Sequence, residues 1–434
     1  MKVAFATLGC RVNVYESEAM AEKFLKSGYE VVQFDEVADV YVINTCTVTN
    51  MSDKKSRQMI SRAKRKNPES IIAAVGCYTQ IAPDKVKEIG DVDVILGTRN
   101  KGDIVYWVNR AKEEDKTIVE VNDVLKNKKF EELNIEDYQD KTRAFLKIQD
   151  GCNNFCSYCL IPFARGAVCS KDPETIIDEV KKLSEHGFKE IILSGIDIAS
   201  YGVDLQGDWN LLRVLKSIDE IEGINRVRIG SIGPEFFNED IIKEIGSLKK
   251  LCPHFHLSLQ SGCNSTLKRM NRKYTTEEFK NIVVLLRKYV KDISITTDII
   301  VGFPGETKEE FEETYNYLKE IKLSKMHIFK YSPRTGTRAE KMENQVDGKI
   351  KEERSKVLLL LNEKNEKDFM NKFIDKDMKI LYEQKCSDKE EYYEGYTPNY
   401  IKVIAKSKDD ISGKILNTKL METREEYTIG KIIQ

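Results

Sequence analysis

Gly151-Cys152-Asn153-Asn154-Phe155-Cys156-Ser157-Tyr158-Cys159 is the stretch whose reading decides the fold. Its cysteines stand at C-x3-C-x2-C spacing, just after an apolar-alternating run from Ala144 to Ile148. A structural zinc takes four ligands, normally as two separated pairs. Here one tight loop offers three, and the next cysteine is Cys169. An iron–sulfur cube held by three thiolates keeps one iron open for another ligand. The loop therefore reads as a cluster site at the end of a strand.

The chain has 434 residues, 41% hydrophobic and 32% charged, which suits two or three globular domains with cores of their own. Net charge is -1, so no global basic field recruits nucleic acid, and any such binding is local. Ten cysteines in a chain this long argue against a disulfide framework and for a reducing compartment where thiolates stay free for metal. No apolar run approaches the ~18–20 residues of a membrane span. A cytoplasmic protein with no membrane partner is expected.

Residues 1–100 alternate strands with helices. Strands are predicted at Lys2 to Leu8, Tyr29 to Phe34, Asp39 to Asn44, Ile71 to Val75 and Val92 to Leu96. Helices are predicted at Ser17 to Lys26 and Met51 to Lys66. This is a small parallel α/β layer. Cys10, Cys46 and Cys77 each follow a strand, at the edge where such sheets bind ligands. They are either a second three-cysteine cluster or three unrelated buried thiols. The second helix carries Lys54, Lys55, Arg57, Arg62, Lys64, Arg65 and Lys66 with no acidic residue among them. It is a solvated face or a phosphate-contacting one.

A charged stretch from Lys112 to Asp140 reads as a linker with a short strand at Thr117 to Val121. The alternation then restarts. Six strand–helix units run from Ala144 to Tyr331 and predict parallel strands with a working edge at their carboxyl ends. Small residues gather there: Ser194-Gly195, Gly230, Gln260-Ser261-Gly262 and Gly302. Small side chains let a ligand lie against the backbone. Lys351 to Phe373 reads as a connecting helix with a stripe through Val357, Leu358, Leu361 and Phe369. After Met378 come short alternating strands, as in a compact β-barrel. Tyr392, Tyr393, Tyr396 and Tyr400 there are core residues or platforms for RNA bases.

These motifs together resemble the radical S-adenosylmethionine (SAM) methylthiotransferase family over nearly the full length. The resemblance rests on Leu8-Gly9-Cys10-Arg11-Val12-Asn13, Asn44-Thr45-Cys46, Gly76-Cys77 and the loop from Gly151 to Cys159. Leu160-Ile161-Pro162, Arg165-Gly166, His256 to Cys263, Leu267 to Arg272, Asp298 to Gly305 and Tyr331-Ser332-Pro333-Arg334 extend it. The contexts of Cys10 and Cys263, with Gly395 to Tyr400, resemble the branch that acts on threonylcarbamoyl-adenosine in tRNA.

The resemblance implies an α/β architecture: an amino-terminal methylthiotransferase domain (1–110), a linker (111–140), a partial (βα)6 barrel (141–370) and a TRAM-like RNA-binding β-barrel (371–434). It implies two 4Fe–4S clusters, one on Cys152, Cys156 and Cys159 and one on Cys10, Cys46 and Cys77. SAM contacts are implied at Tyr158, Ser194, Gly195, Gln260 and Gly302. The implied activity inserts a methylthio group at C2 of N6-threonylcarbamoyladenosine at tRNA position 37, consuming two SAM. Implied partners are the tRNA anticodon stem-loop, an electron donor such as flavodoxin or ferredoxin, and a sulfur donor that the sequence does not name. The alternatives are isopentenyl-adenosine in tRNA, an aspartate of a ribosomal protein, or an iron–sulfur RNA-binding protein that inserts no sulfur.

Overall fold

The structure, a computed structural model, describes residues 1–114, 116–126, 129–133, 135, 142–387 and 389–433. The rest of the expected linker lies outside them.

Six parallel strands form the amino-terminal sheet, in the order Glu30–Val32, Lys2–Thr7, Val40–Thr45, Ile71–Gly76, Val94–Leu96 and Ile118–Glu120. The sixth comes from the stretch read as linker. Its Ile118 is buried and pairs with Val94. The helix Asn50–Lys66 starts where the Thr49 side chain accepts from Ser52 N at 3.1 Å. It buries Ser56, Ile60 and Ala63, one narrow face at helical spacing. Burying Ile60 alone is worth about 1.5–3 kcal/mol. Asn67 before Pro68 ends it in extended geometry.

The first helix begins earlier than the apolar pattern predicts, at Arg11, and runs to Lys26. Its first turns bury Asn13 and Glu16 beside Val12 and Tyr15. Polar residues on the inner face hide the helical period.

The central domain is an arc of six parallel strands: Arg143–Lys147, Glu190–Ser194, Arg226–Ile229, His254–Leu257, Ser294–Val301 and Lys325–Lys330. The arc breaks at Gly230. Arg226–Ile229 pairs with Glu190–Ser194, whereas Ser231–Ile232 pairs with His254–Leu257. Helices pack outside. Two of them, Thr276–Tyr289 and Lys308–Ile321, begin with capping boxes, Thr275 with Glu278 and Thr307 with Glu310. One continuous core joins Leu146, Ile191, Ile229, Phe255, Ile295 and Met326.

The helix Gly348–Asn371 lies along the last core strand. Its buried face runs through Leu358, Leu361, Asn362 and Asn365, while Val357 of the expected stripe is 41% exposed. Asn362 explains the shift: its Oδ1 accepts from Met326 N at 2.6 Å, so an amide replaces an apolar contact.

Five strands close the final barrel, in the order Asp377–Lys385, Tyr392–Tyr396, Lys402–Lys406, Thr428–Ile432 and Ile415–Thr423. It docks where the core strands begin. Arg226 donates to Tyr396 O at 3.0 Å and Lys379 O at 2.6 Å, and Arg228 donates to Pro398 O at 3.0 Å. Tyr396 and Tyr400 stack on each other, with Arg143 over both rings. The Arg228 guanidinium sits 4.3 Å from the Tyr400 centroid. These two tyrosines therefore cement the domain contact, and Tyr393 is in the barrel core, so none of the three is a free base platform. Among the described residues, no helix is long and apolar enough to cross a membrane.

Candidate active site

The loop with Cys152, Cys156 and Cys159 runs from the short strand Gln149–Asp150 to the helix Ile161–Arg165. Gly151 turns the chain at φ +72°, and a Cβ there would stand 2.0 Å from Ala167 O. Each thiol has a donor aimed at it. Asn154 N lies 3.5 Å from Cys152 Sγ, Ile161 N lies 3.4 Å from Cys159 Sγ, and an Arg272 guanidinium nitrogen lies 3.2 Å from Cys156 Sγ. Arg272 spends its other donors on Tyr274 Oη at 2.8 Å and Ser258 O at 3.1 Å. Asp197 Oδ2 is 3.5 Å from Cys152 Sγ and accepts from Asn154 Nδ2 at 3.0 Å and Ser200 Oγ at 2.7 Å.

Burial, then Asp197 and the neighbouring thiols, pushes the Cys152 thiol far up. Burial pushes Cys159 up to about 12. As free thiols both are protonated at neutral pH. Thiolate ligands appear together only when a cation replaces the protons. The three donor contacts suit a thiolate-held cluster, since hydrogen bonds to the sulfurs are one lever on its potential.

Cys10, Cys46 and Cys77 come from three separate strand ends, yet they converge. Gly9 adopts φ +101°, and a Cβ there would stand 2.9 Å from Cys46 Sγ. Cys10 is the residue that opens the first helix, and Cys77 opens the short helix Cys77–Ile81. Burial, against Arg165 and Lys101, raises the Cys77 thiol to about 11, and Cys10 and Cys46 add to it. Cys77 also acts on Cys159, so the two sets are neighbours. The packing of Cys77–Ile81 on Ile161–Arg165 sets them face to face.

Between them lies a buried charge network. Arg165 Nε donates to Cys77 Sγ at 3.2 Å, while its other nitrogens reach Glu16 at 2.5 Å, Asn13 Oδ1 at 2.6 Å and Asp150 at 3.4 Å. Lys147 bridges Glu16 at 2.9 Å and Asp150 at 2.6 Å, Lys101 pairs with Glu16, and Arg99 stands 3.7 Å from Asp150. Burial opposes both carboxylates, yet the cations hold Glu16 and Asp150 well below the usual range. Four cations thus face Glu16 and Asp150, with Glu131 as a third carboxylate beside Lys101 and Lys147, and a formal positive excess borders Cys77. A buried excess of charge calls for an anionic partner. Thiolates on a cluster fit that demand.

The first core domain edge and Cys10 share one cavity of about 810 Å³. Ser194, Gly195, Gly230, His256, Asp298 and His327 line it from the core, Cys10 and Arg11 from the first domain, and Tyr396 and Tyr400 from the barrel. Of the five sequence-derived SAM positions, Ser194 and Gly195 open on this cavity. Tyr158 packs edge-on to Phe303 beside Tyr331. Gly302 lies against the Lys351 stem, and its N–H donates to Glu306 at 2.9 Å. Gln260, at φ +72°, donates through its backbone to Asp298 O at 2.9 Å.

Arg165 and Arg272 stood in the motifs quoted from the sequence without a chemical role. Glu16, Gln149 and Lys147 carried no signal at all. Gln149 Oε1 accepts from Ile196 N at 2.9 Å and Asp197 N at 2.8 Å and so shapes the Ser194–Asp197 turn. A cation flanked by apolar residues, as in Ile161 to Arg165, was the one available hint.

Comparison with known proteins agrees with this geometry. Residues 146–318 match the Radical SAM superfamily model, and residues 2–97 match "Uncharacterized protein family UPF0004". A Bacillus subtilis (strain 168) protein named threonylcarbamoyladenosine tRNA methylthiotransferase MtaB is 43% identical, covering 100% of this chain and 96% of its own. A Clostridium tetani tRNA-2-methylthio-N(6)-dimethylallyladenosine synthase is 37% identical over 96% of this chain and 93% of its own. Among solved structures, the radical SAM methyltransferase TsrM from Kitasatospora setae shares the fold at 14% identity, with a TM-score of 0.56 over 76% of each chain. With two cysteine sets facing each other and full-length relatives of this kind, the chain belongs to the MtaB-like family of radical SAM methylthiotransferases.

Proposed function

We propose that this protein is a tRNA methylthiotransferase acting at C2 of N6-threonylcarbamoyladenosine at position 37, beside the anticodon. The observation that carries the reading is the joint placement of Cys10 and the Ser194–Gly195 edge on one cavity large enough for a modified nucleoside. The naming of the B. subtilis relative supports the choice of nucleoside.

Cys152, Cys156 and Cys159 would hold one 4Fe–4S cluster, and Cys10, Cys46 and Cys77 a second. When bound, the clusters and SAM supply the one-electron and sulfur-transfer chemistry. The chain's own residues do the rest. Arg272 and the Asn154 and Ile161 amides donate to the first set of sulfurs and steady them. Arg165 donates to Cys77 and ties it to Glu16 and Asp150, which fixes one set relative to the other. Ser194 and Gly195 keep the cavity wall low so that SAM lies against the backbone. The barrel closes the far side of the cavity with Tyr396 and Tyr400 and limits entry of water, which would quench a reactive carbon centre.

The substrate enters as the anticodon stem-loop in the cytoplasm, and a flavodoxin- or ferredoxin-type protein supplies electrons. The exposed cations Lys54, Lys55 and Arg65 of the helix Asn50–Lys66 are placed to meet RNA phosphates. Arg62 and Lys66 are engaged by Asp35, and Arg57 donates to Tyr78 Oη at 3.0 Å. The test is mass spectrometry of tRNA nucleosides from cells with and without the gene. The expected result is loss of the 2-methylthio form of threonylcarbamoyladenosine alone. Loss of only the isopentenyl form, or an unchanged nucleoside profile, would overturn the reading.

A further inference from the structure

Arg11 forms no ion pair with a carboxylate among the described residues. It is the first residue of its helix, beside Cys10, and it lines the shared cavity. It donates to a neutral group, Tyr400 Oη at 3.4 Å. Glu190 is the one carboxylate among its strongest electrostatic neighbours. Glu190 is already committed to three other guanidiniums: Arg228 at 3.0 Å, Arg226 at 3.6 Å and Arg143 at 3.8 Å. The helix adds to the strain. Its amino end carries partial positive charge, its first turn holds no acidic residue, and Cys10 provides no side-chain cap. A half-buried cation at that end is favourable beside an anion.

The other carboxylates on the cavity wall are placed elsewhere. Glu366 is taken by Lys325 at 2.7 Å, and Asp298 faces His256 at 3.3 Å. The third, Glu426, lies in the barrel turn before Thr428–Ile432, so the two residues that the first domain gives to the cavity wall, Cys10 and Arg11, have no acidic neighbour from their own domain there.

A threonylcarbamoyl group brings the missing anion. Its carboxylate lies a few bonds from N6, on the same base edge as C2, the atom that accepts sulfur. We propose that Arg11 binds the carboxylate of the threonylcarbamoyl group and thereby selects this nucleoside over one with an uncharged N6 substituent. Arg11 is a specificity residue, and the inference rests on the substrate reading above. A planar guanidinium matches a carboxylate with two parallel donors, which a lysine cannot reproduce.

The test uses the full-length, anaerobically reconstituted protein and two synthetic anticodon stem-loops. One carries N6-threonylcarbamoyladenosine, and the other carries the same base with the carboxylate converted to its methyl amide. Wild type is expected to bind the acid about ten- to a hundredfold more tightly than the amide. Arg11→Gln should bind both alike, and Arg11→Lys should keep part of the preference. Equal binding of acid and amide by wild type overturns the assignment, and this arm needs no variant to fold. Equal weakening of both RNAs in Arg11→Gln also overturns it, because Arg11 would then meet a phosphate. If wild type converts only isopentenyl-adenosine RNA, the substrate reading fails and takes this inference with it. A missing acid preference in a protein that does convert the threonylcarbamoyl RNA removes only the role of Arg11.

Discussion

Cys152, Cys156 and Cys159 share one loop, whereas Cys10, Cys46 and Cys77 come from the ends of three strands. The loop set depends on local backbone: Gly151 turns the chain, and two amides of the same segment point at the sulfurs. The strand-end set depends on the whole sheet, on the close approach of Cys46 to Gly9, and on a cation from the other domain, Arg165. A local site survives small shifts of its surroundings. A convergent site inherits the geometry of every element that feeds it. This contrast fits the proposed division of roles, in which the loop set would serve SAM and the strand-end set would hold the second cluster at the domain boundary.

Four substitutions probe the contrast. The largest difference is expected from the ligands. Cys156→Ala should abolish SAM cleavage, whereas Cys46→Ala should cleave SAM and form no methylthio product; chromatography of 5′-deoxyadenosine and of tRNA nucleosides reads both. SAM cleavage by Cys156→Ala, or product from Cys46→Ala, would reverse the roles assigned to the two sets.

The next effect concerns the domain boundary. Arg165→Met leaves Glu16 and Asp150 short of a buried partner and should cost about 3–5 kcal/mol. Thermal unfolding measures the loss, which should coincide with release of iron from the strand-end set while the loop set stays filled. Unchanged unfolding would mean that Lys147 and Lys101 suffice for the network. Arg272→Met should have the smallest effect. Arg272 meets Cys156 from outside the loop, and its loss should lower the midpoint potential of that cluster by about 50 mV, a one-electron shift worth roughly 1 kcal/mol. Potentiometric titration followed by electron paramagnetic resonance reads it. No shift would mean that the local amides alone set the potential.

The loop set was legible because its ligands and their spacing are contiguous in sequence. For the strand-end set, placement after three strands left two readings open, and the motifs around Cys10, Cys46 and Cys77 pointed to a cluster only through the family resemblance. Strands rich in β-branched and aromatic residues, such as Val40–Thr45 and Ser294–Val301, declared themselves. The start of the first helix did not, because buried Asn13 and Glu16 interrupt its apolar face. Glu16, Lys101, Lys147 and Arg165 are far apart in sequence and read as ordinary surface charges. Only the fold shows that they meet in one buried network. The role of Tyr400 was hidden for the same reason. Its partners Arg143 and Arg228 sit on strands of a different domain.

The central claim is that two separate three-thiolate sites exist, one local and one convergent. Iron and acid-labile sulfide per chain test it most directly, in the wild type and in two triple variants made anaerobically, Cys152/Cys156/Cys159→Ala and Cys10/Cys46/Cys77→Ala. The expected result is about eight irons in the wild type and about four in each variant, with sulfide in parallel. About four irons in the wild type, all lost with the loop cysteines and none with the strand-end set, would contradict the account.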